Sequence, residues 1–163
     1  MLAPLTNSQS HEDGTLSEEE FHWLTKRAKG NFGLVMTCAS HVQANGKGWP
    51  GELASFSDLH TDGHRRLSKA IQSHGSLAVV QLFHGGMRAD PKLIEGSPVS
   101  ASDVERKGTR ALTLEEVRTL RDNFINAAIR TQKSGYDGVE LHGAHGYITV
   151  SYTHLTLPTI LLV

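Results

Sequence analysis

Residues Gly135–Tyr147 spell GYDGVELHGAHGY. A short apolar run ends in two histidines, His142 and His145, with Tyr147 two places beyond. What precedes the run decides how it folds. Thr113-Leu-Glu-Glu116 has the pattern of a capping box, in which threonine and glutamate each satisfy a free amide of the first helical turn. Val117, Leu120, Phe124, Ala127, Ala128 and Thr131 then trace one apolar stripe at helical spacing. Gly135 stops the helix, and DGVELH follows as a buried strand. Helix, glycine, buried strand and polar strand end make one repeat of an α/β fold.

The same repeat recurs upstream. SEEEFHWLTKRAK at 17–29 predicts a helix. Ser17 and Glu20 form a second capping box, acids fill the first turn and bases the last, and Phe21, Leu24 and Ala28 share a face. LVMTCA at 34–39 predicts a buried strand without alternation. Residues 41–61 are polar and rich in glycine, which predicts a loop. DGHRRLSKAIQS at 62–73 predicts the next helix, with Gly75 placed for a left-handed end. SLAVVQLFH at 76–84 is the next buried strand, and 85–112 a second long loop. With Met1-Leu-Ala counted as the end of an earlier strand, the order is β-α-β-α-β-α-β.

That alternation predicts a parallel sheet with crossover helices. A doubly wound sheet gathers its functional groups where strand order reverses. A barrel sets them at the C-terminal ends of successive strands. Here each strand end carries a polar or small residue: Thr6, then Ala39 and Ser40, then Gln81 and His84, then His142 and His145. The barrel is favoured. A barrel needs roughly 200 residues or more, and only four units are present. The predicted fold is therefore an incomplete (β/α)8 TIM barrel, about the first four β/α units, over residues 1–149.

Bulk properties narrow the function. The chain has 163 residues, 38% of them hydrophobic, enough for one globular core. Lys+Arg 16 against Asp+Glu 17 gives no electrostatic reason to bind nucleic acid. No apolar run reaches membrane-spanning length, and the N-terminus lacks the pattern of a signal peptide. A single cysteine, Cys38, excludes an intrachain disulfide and fits a reducing cytoplasm. Its apolar neighbours make it a small core residue. Ten histidines are many, and most are expected on the surface.

Three readings of His142, His145 and Tyr147 are open. A zinc site needs about three or four protein ligands, and only Cys38 or Glu140 could add to the pair. A purely structural loop would use the imidazoles on backbone groups. The third reading is an anchor: two neutral imidazoles donate to a substrate oxygen and Tyr147 gives a proton. Gln81 lies inside a buried strand, where an amide is costly unless hydrogen-bonded. Its donor and acceptor suit either a core partner or the edge of a flat heterocycle. There is no G-x-G-x-x-G after a strand, so a Rossmann nicotinamide site is unsupported.

APLT at 3–6, QLFHGG at 81–86, and TLEEV with GYDGVELHGAHGY across 113–147 together resemble the old yellow enzyme family, FMN-dependent ene-reductases on a TIM barrel. The match runs in order from residue 1 to about 148 and implies the N-terminal half of such a barrel. By this resemblance Ala3, Pro4 and Leu5 back onto the flavin through main chain. Thr6 contacts the flavin and tunes its potential, Ala39 is the small residue against the ring, and Gln81 holds the pyrimidine edge. His142 and His145 hold a carbonyl or nitro oxygen, and Tyr147 is the proton donor. The implied activity is reduction of an activated C=C bond in a small α,β-unsaturated substrate, with NAD(P)H as reductant. A homo-oligomeric parent is compatible with it. A dienoyl-thioester reductase or demethylase is the nearest other activity, though such relatives usually add a cysteine cluster that this chain lacks.

The chain departs from the family pattern in places. Met87 stands where QLxHxGR has arginine, with Arg88 next. Thr6 and the histidine pair point to different branches. Cys38 replaces an acidic residue common after the second strand. From about Val150 the sequence TVSYTHLTLPTILLV leaves the family and resembles a read-through peptide from adaptor sequence, so 150–163 is expected to be a non-native tail. Met1 falls within the family's first strand. The flavin-phosphate loops are expected beyond this chain. Expressed alone, it is expected to associate through open sheet edges, to hold no FMN and to have no activity of its own.

Overall fold

The computed structural model describes residues 1–152. Helix α1 spans Glu18–Lys29, strand β1 Leu34–His41, β2 Leu53–Ala54, helix α2 Thr61–Gln72 and β3 Leu77–Phe83. Then come β4 (Val99–Ser100), β5 (Arg110–Ala111), helix α3 (Leu114–Lys133), β6 (Gly138–Leu141) and α4 (Ile148–Ser151). The main sheet runs β2-β1-β3-β6, with every pairing parallel. Leu2 adds a parallel bridge to Val35 on β1. The Leu2 segment, β1, β3 and β6 thus lie side by side in chain order, as in a barrel wall. Strands β4 and β5 form a separate two-residue parallel ladder inside the second long loop.

The outer face of the sheet is apolar. Val35, Ala78, Val80 and Leu82 pack with Leu24 and Ala28 of α1, Leu67 and Ile71 of α2, and Ala127 of α3. Each fully buried Leu or Ile there contributes roughly 1.5–3 kcal/mol. Strand side chains alternate, so burying Val80 and Leu82 outward turns Gln81 and Phe83 inward. A smaller core of Val99, Leu120 and Ile148 fastens α4 to α3 and to β4.

The helix ends obey local rules with one instructive exception. At α3 the capping box is complete: Thr113 accepts from the Glu116 amide and Glu116 accepts from the Thr113 amide. At α1, Ser17 accepts from the Glu20 amide at 3.1 Å, but the Glu20 carboxylate does not return to Ser17. It is fully buried and accepts from the Asn7 amide at 3.1 Å, the Cys38 thiol at 2.9 Å, and the Ser10 hydroxyl. Three side-chain donors in the interior outweigh one backbone amide. Gly75 and Gly135, at φ +78 and +85, end α2 and α3 as expected. The anticipated boundary at residue 150 falls inside α4, and residues 153–163 of the anticipated tail lie outside the described residues.

Candidate active site at the strand ends

The inward parity of the strands brings separate sequence motifs to one place. Gln81 pairs in register with Ala39 on one side and with Glu140 on the other. Glu140 and His142, two apart, share that inner face. A cavity of about 210 Å³ opens at these strand ends. Its walls include seven of the nine anticipated site residues: Pro4, Thr6, Ala39, Gln81, His142, His145 and Tyr147. Ala3 and Leu5 are not among them, and the Leu5 side chain is 54% exposed. Trp49 and Glu140 also line the cavity. Parity with His142 could have flagged Glu140. Nothing in the sequence marked Trp49, which comes from a loop read only as polar.

The histidines and tyrosine form an edge-to-face cluster. Ring centroids lie 5.2 Å apart for His142 and His145, and 4.9 Å for His142 and Tyr147. Buried Phe83 supports the cluster from below, 4.5 Å from Tyr147 and 5.6 Å from His142, and Trp49 packs 5.2 Å from Phe83. His142 Nδ1 accepts the Ala144 amide at 3.3 Å, which leaves Nε2–H as a donor. Its own carbonyl accepts Thr149 Oγ1 at 2.5 Å. Burial, and then the neighbouring His145, holds the His142 imidazole below its usual pKa, so it is neutral near pH 7. His145 sits in the left-handed region at φ +59, a conformation that costs a β-carbon residue of order 1–3 kcal/mol. The turn thereby aims His145 into the cavity.

His84, from the QLFHGG motif, holds this turn from behind. It is 1% exposed, and burial lowers its pKa to about 4. Its Nδ1 accepts the Gly86 amide at 3.0 Å, and its carbonyl accepts the Ile148 amide just after Tyr147. A side chain at Gly86, φ +58, would sit 2.8 Å from the Ile148 nitrogen, so glycine is required for the approach. Among the described residues no group of three or more His, Cys, Asp or Glu comes together as a metal site. Cys38 is 1% exposed, and burial pushes its thiol well above the ordinary value, as expected of a core residue.

Residues 1–156 match the NADH:flavin oxidoreductase / NADH oxidase family. The chain belongs to that family. Among curated relatives it is 41% identical over 151 residues to the probable NADH-dependent flavin oxidoreductase YqiG of Bacillus subtilis, covering 90% of this chain and 40% of that protein. It is 31% identical over 153 residues to an NADPH dehydrogenase of Bacillus pumilus, covering 91% of this chain and 44% of the relative. The chain therefore spans less than half the length of these relatives. Old Yellow Enzyme from Pichia superposes with a TM-score of 0.84 at 26% identity, over 90% of this chain and 42% of that one. The old yellow enzyme homologue of Zymomonas mobilis superposes at 0.82 with 29% identity, over 90% and 44%. These neighbours identify the sheet as part of a TIM barrel. No helix among the described residues is long and apolar enough to cross a membrane.

The residues present fit a flavin. A small residue, Ala39, stands beside an amide, Gln81, and a hydroxyl, Thr6, on one cavity wall. That set leaves room for a flat ring and offers hydrogen bonds only along its edge.

Proposed function

We propose that the protein carrying this chain is an FMN-dependent oxidoreductase that uses NAD(P)H to reduce an activated C=C bond in a small α,β-unsaturated carbonyl or nitro compound. The observation that carries this reading is the single cavity that joins His142, His145 and Tyr147 to Thr6, Ala39 and Gln81. FMN held there and reduced by NAD(P)H would supply the hydride chemistry. Pro4, Thr6, Ala39 and Gln81, which line the cavity, would hold the flavin.

The chain's own residues do the rest. His142 Nε2–H and His145 donate hydrogen bonds to the substrate oxygen, which gains negative charge as hydride arrives. A neutral imidazole serves well here, since it donates without first being desolvated as a cation. Tyr147 gives its phenolic proton to the α-carbon, and solvent restores it. Trp49, backed by buried Phe83, gives the cavity an apolar wall that keeps water from the reacting carbons.

The test is a double substitution, His142→Ala with His145→Ala, in the intact protein. Binding of phenol-like ligands should weaken, and enone turnover should fall about 100-fold or more. Undiminished turnover would sink the assignment. Inhibition by chelators, reversed by Zn²⁺, would revive a metal site instead.

A further inference from the structure

Gln81 is 7% exposed and sits in a row with Ala39 and Glu140, its register partners on β1 and β6. Ala39 has no polar side-chain atom, so of the two register partners Glu140 is the one that can orient the amide. The two side chains meet at 2.6 Å, the length of a strong charge-assisted hydrogen bond. An ionised carboxylate has nothing to donate, so the atom facing it must be Nε2. Gln81 Oε1 then points away from Glu140. It has no hydrogen-bond partner among the described residues, yet it is not sealed from solvent. It is an unused acceptor at the cavity wall.

We propose that Glu140 is a positioning residue that locks Gln81 with its nitrogen toward β6 and its oxygen toward the Ala39 side. The bound ring must then bring an N–H to the Ala39 side of Gln81, as an imide does. In the flavin reading, on which this rests, that group is the ring's pyrimidine N–H. Without Glu140 the amide can turn over, and the site no longer selects which edge atom carries hydrogen. Glu140 touches the ligand's partner rather than the reacting atoms.

The test has two arms on the intact protein. In the first, flavin is removed and the Gln81 side-chain amide is followed by NMR, assigned by its absence in Gln81→Leu. One Nε2 proton should lie downfield. It should move upfield in Glu140→Leu and largely stay in Glu140→Gln, which keeps an acceptor. An amide signal indifferent to both changes overturns the proposal. In the second arm, affinity for FMN is compared with that for its N3-methyl analogue. The native protein should prefer FMN by about tenfold or more. Glu140→Leu should shrink that ratio, and Glu140→Gln should restore it. A purely structural Glu140 would weaken both ligands equally and leave the ratio fixed, which also overturns the proposal. If native protein binds neither ligand, the flavin reading fails, and the first arm still decides the orientation.

Discussion

Two of the histidine–tyrosine pairs among the described residues have nearly the same shape. His64 and Tyr136 meet edge to face with centroids 5.6 Å apart, and His142 and Tyr147 do so at 4.9 Å. Their surroundings differ. His64 is 4% and Tyr136 7% exposed. His64 Nε2 lies 2.9 Å from the Ala54 carbonyl, and its Nδ1 lies 3.2 Å from the Tyr136 hydroxyl. Every polar atom of that pair is engaged between sheet and helices. At the cavity, His142 keeps Nε2 free, and Tyr147 makes no side-chain hydrogen bond among the described residues. Residue type and ring geometry do not distinguish scaffold from site here. Unused hydrogen-bonding capacity beside a cavity does.

Removing one hydroxyl from each pair should break the likeness most clearly. Tyr147→Phe should cut turnover about 100-fold or more, the usual contribution of a positioned acid, with stability changed by under about 0.5 kcal/mol. Tyr136→Phe should do the reverse: roughly 1–3 kcal/mol less stable, since His64 Nδ1 loses its partner in the interior, with turnover per folded molecule intact. Turnover and urea unfolding of both variants check this. Equal losses of activity would erase the distinction between the pairs.

Acid should separate the two regions next. Burial lowers His64 and His84 to about 4 from 6.5. Their folded pKa values lie below the unfolded ones, so their stabilising contribution is complete above about pH 6.5. It is lost as pH falls toward 4, by up to about 3 kcal/mol for each histidine. Denaturant midpoints measured from pH 7 to 4 should fall in this window. The slope should lessen in His64→Gln, which cannot titrate. A flat profile between pH 6.5 and 4.5 would contradict the burial of both rings.

Periodicity and caps made the helices and strands legible, because each obeys local rules that its own residues satisfy. The thirteen residues from Gly135 predicted the strand β6 but not its exposure: read as buried, it leaves Val139 40% and Leu141 59% exposed, because it is the last strand of this sheet. What the sequence hid depended on distant partners. Three histidines of a set expected mostly at the surface, His41, His60 and His64, are buried, because distant partners cover them: Glu52 beside His41, the Asp13 carbonyl beside His60, and Ala54 and Tyr136 beside His64. Trp49 enters the cavity from a loop with no periodic signal. Glu140 was weighed only as a metal ligand, although its spacing from His142 places both on one face of the strand. Glu20 carried a correct capping signal and a wrong partner, since its three donors lie ten or more residues away.

Glu20 supplies the smallest and sharpest contrast with the open site. The carboxylate on α1 lies 2.9 Å from the sulfur of Cys38. It also clamps Asn7, just beyond cavity-lining Thr6. Glu20→Ala would strand three donors, at a cost of roughly 1–3 kcal/mol. Glu20→Gln should recover most of that. Its amide oxygen can still accept from Asn7 and Cys38, and its nitrogen can donate to Ser10, whose hydroxyl is free to reverse. Urea unfolding of the two variants separates shape from charge. Recovery by glutamine means that Glu20 acts as a well-placed acceptor within a satisfied network. If glutamine is as damaging as alanine, the buried negative charge itself is required, and the scaffold side of the molecule holds an electrostatic element that its hydrogen bonds alone do not explain.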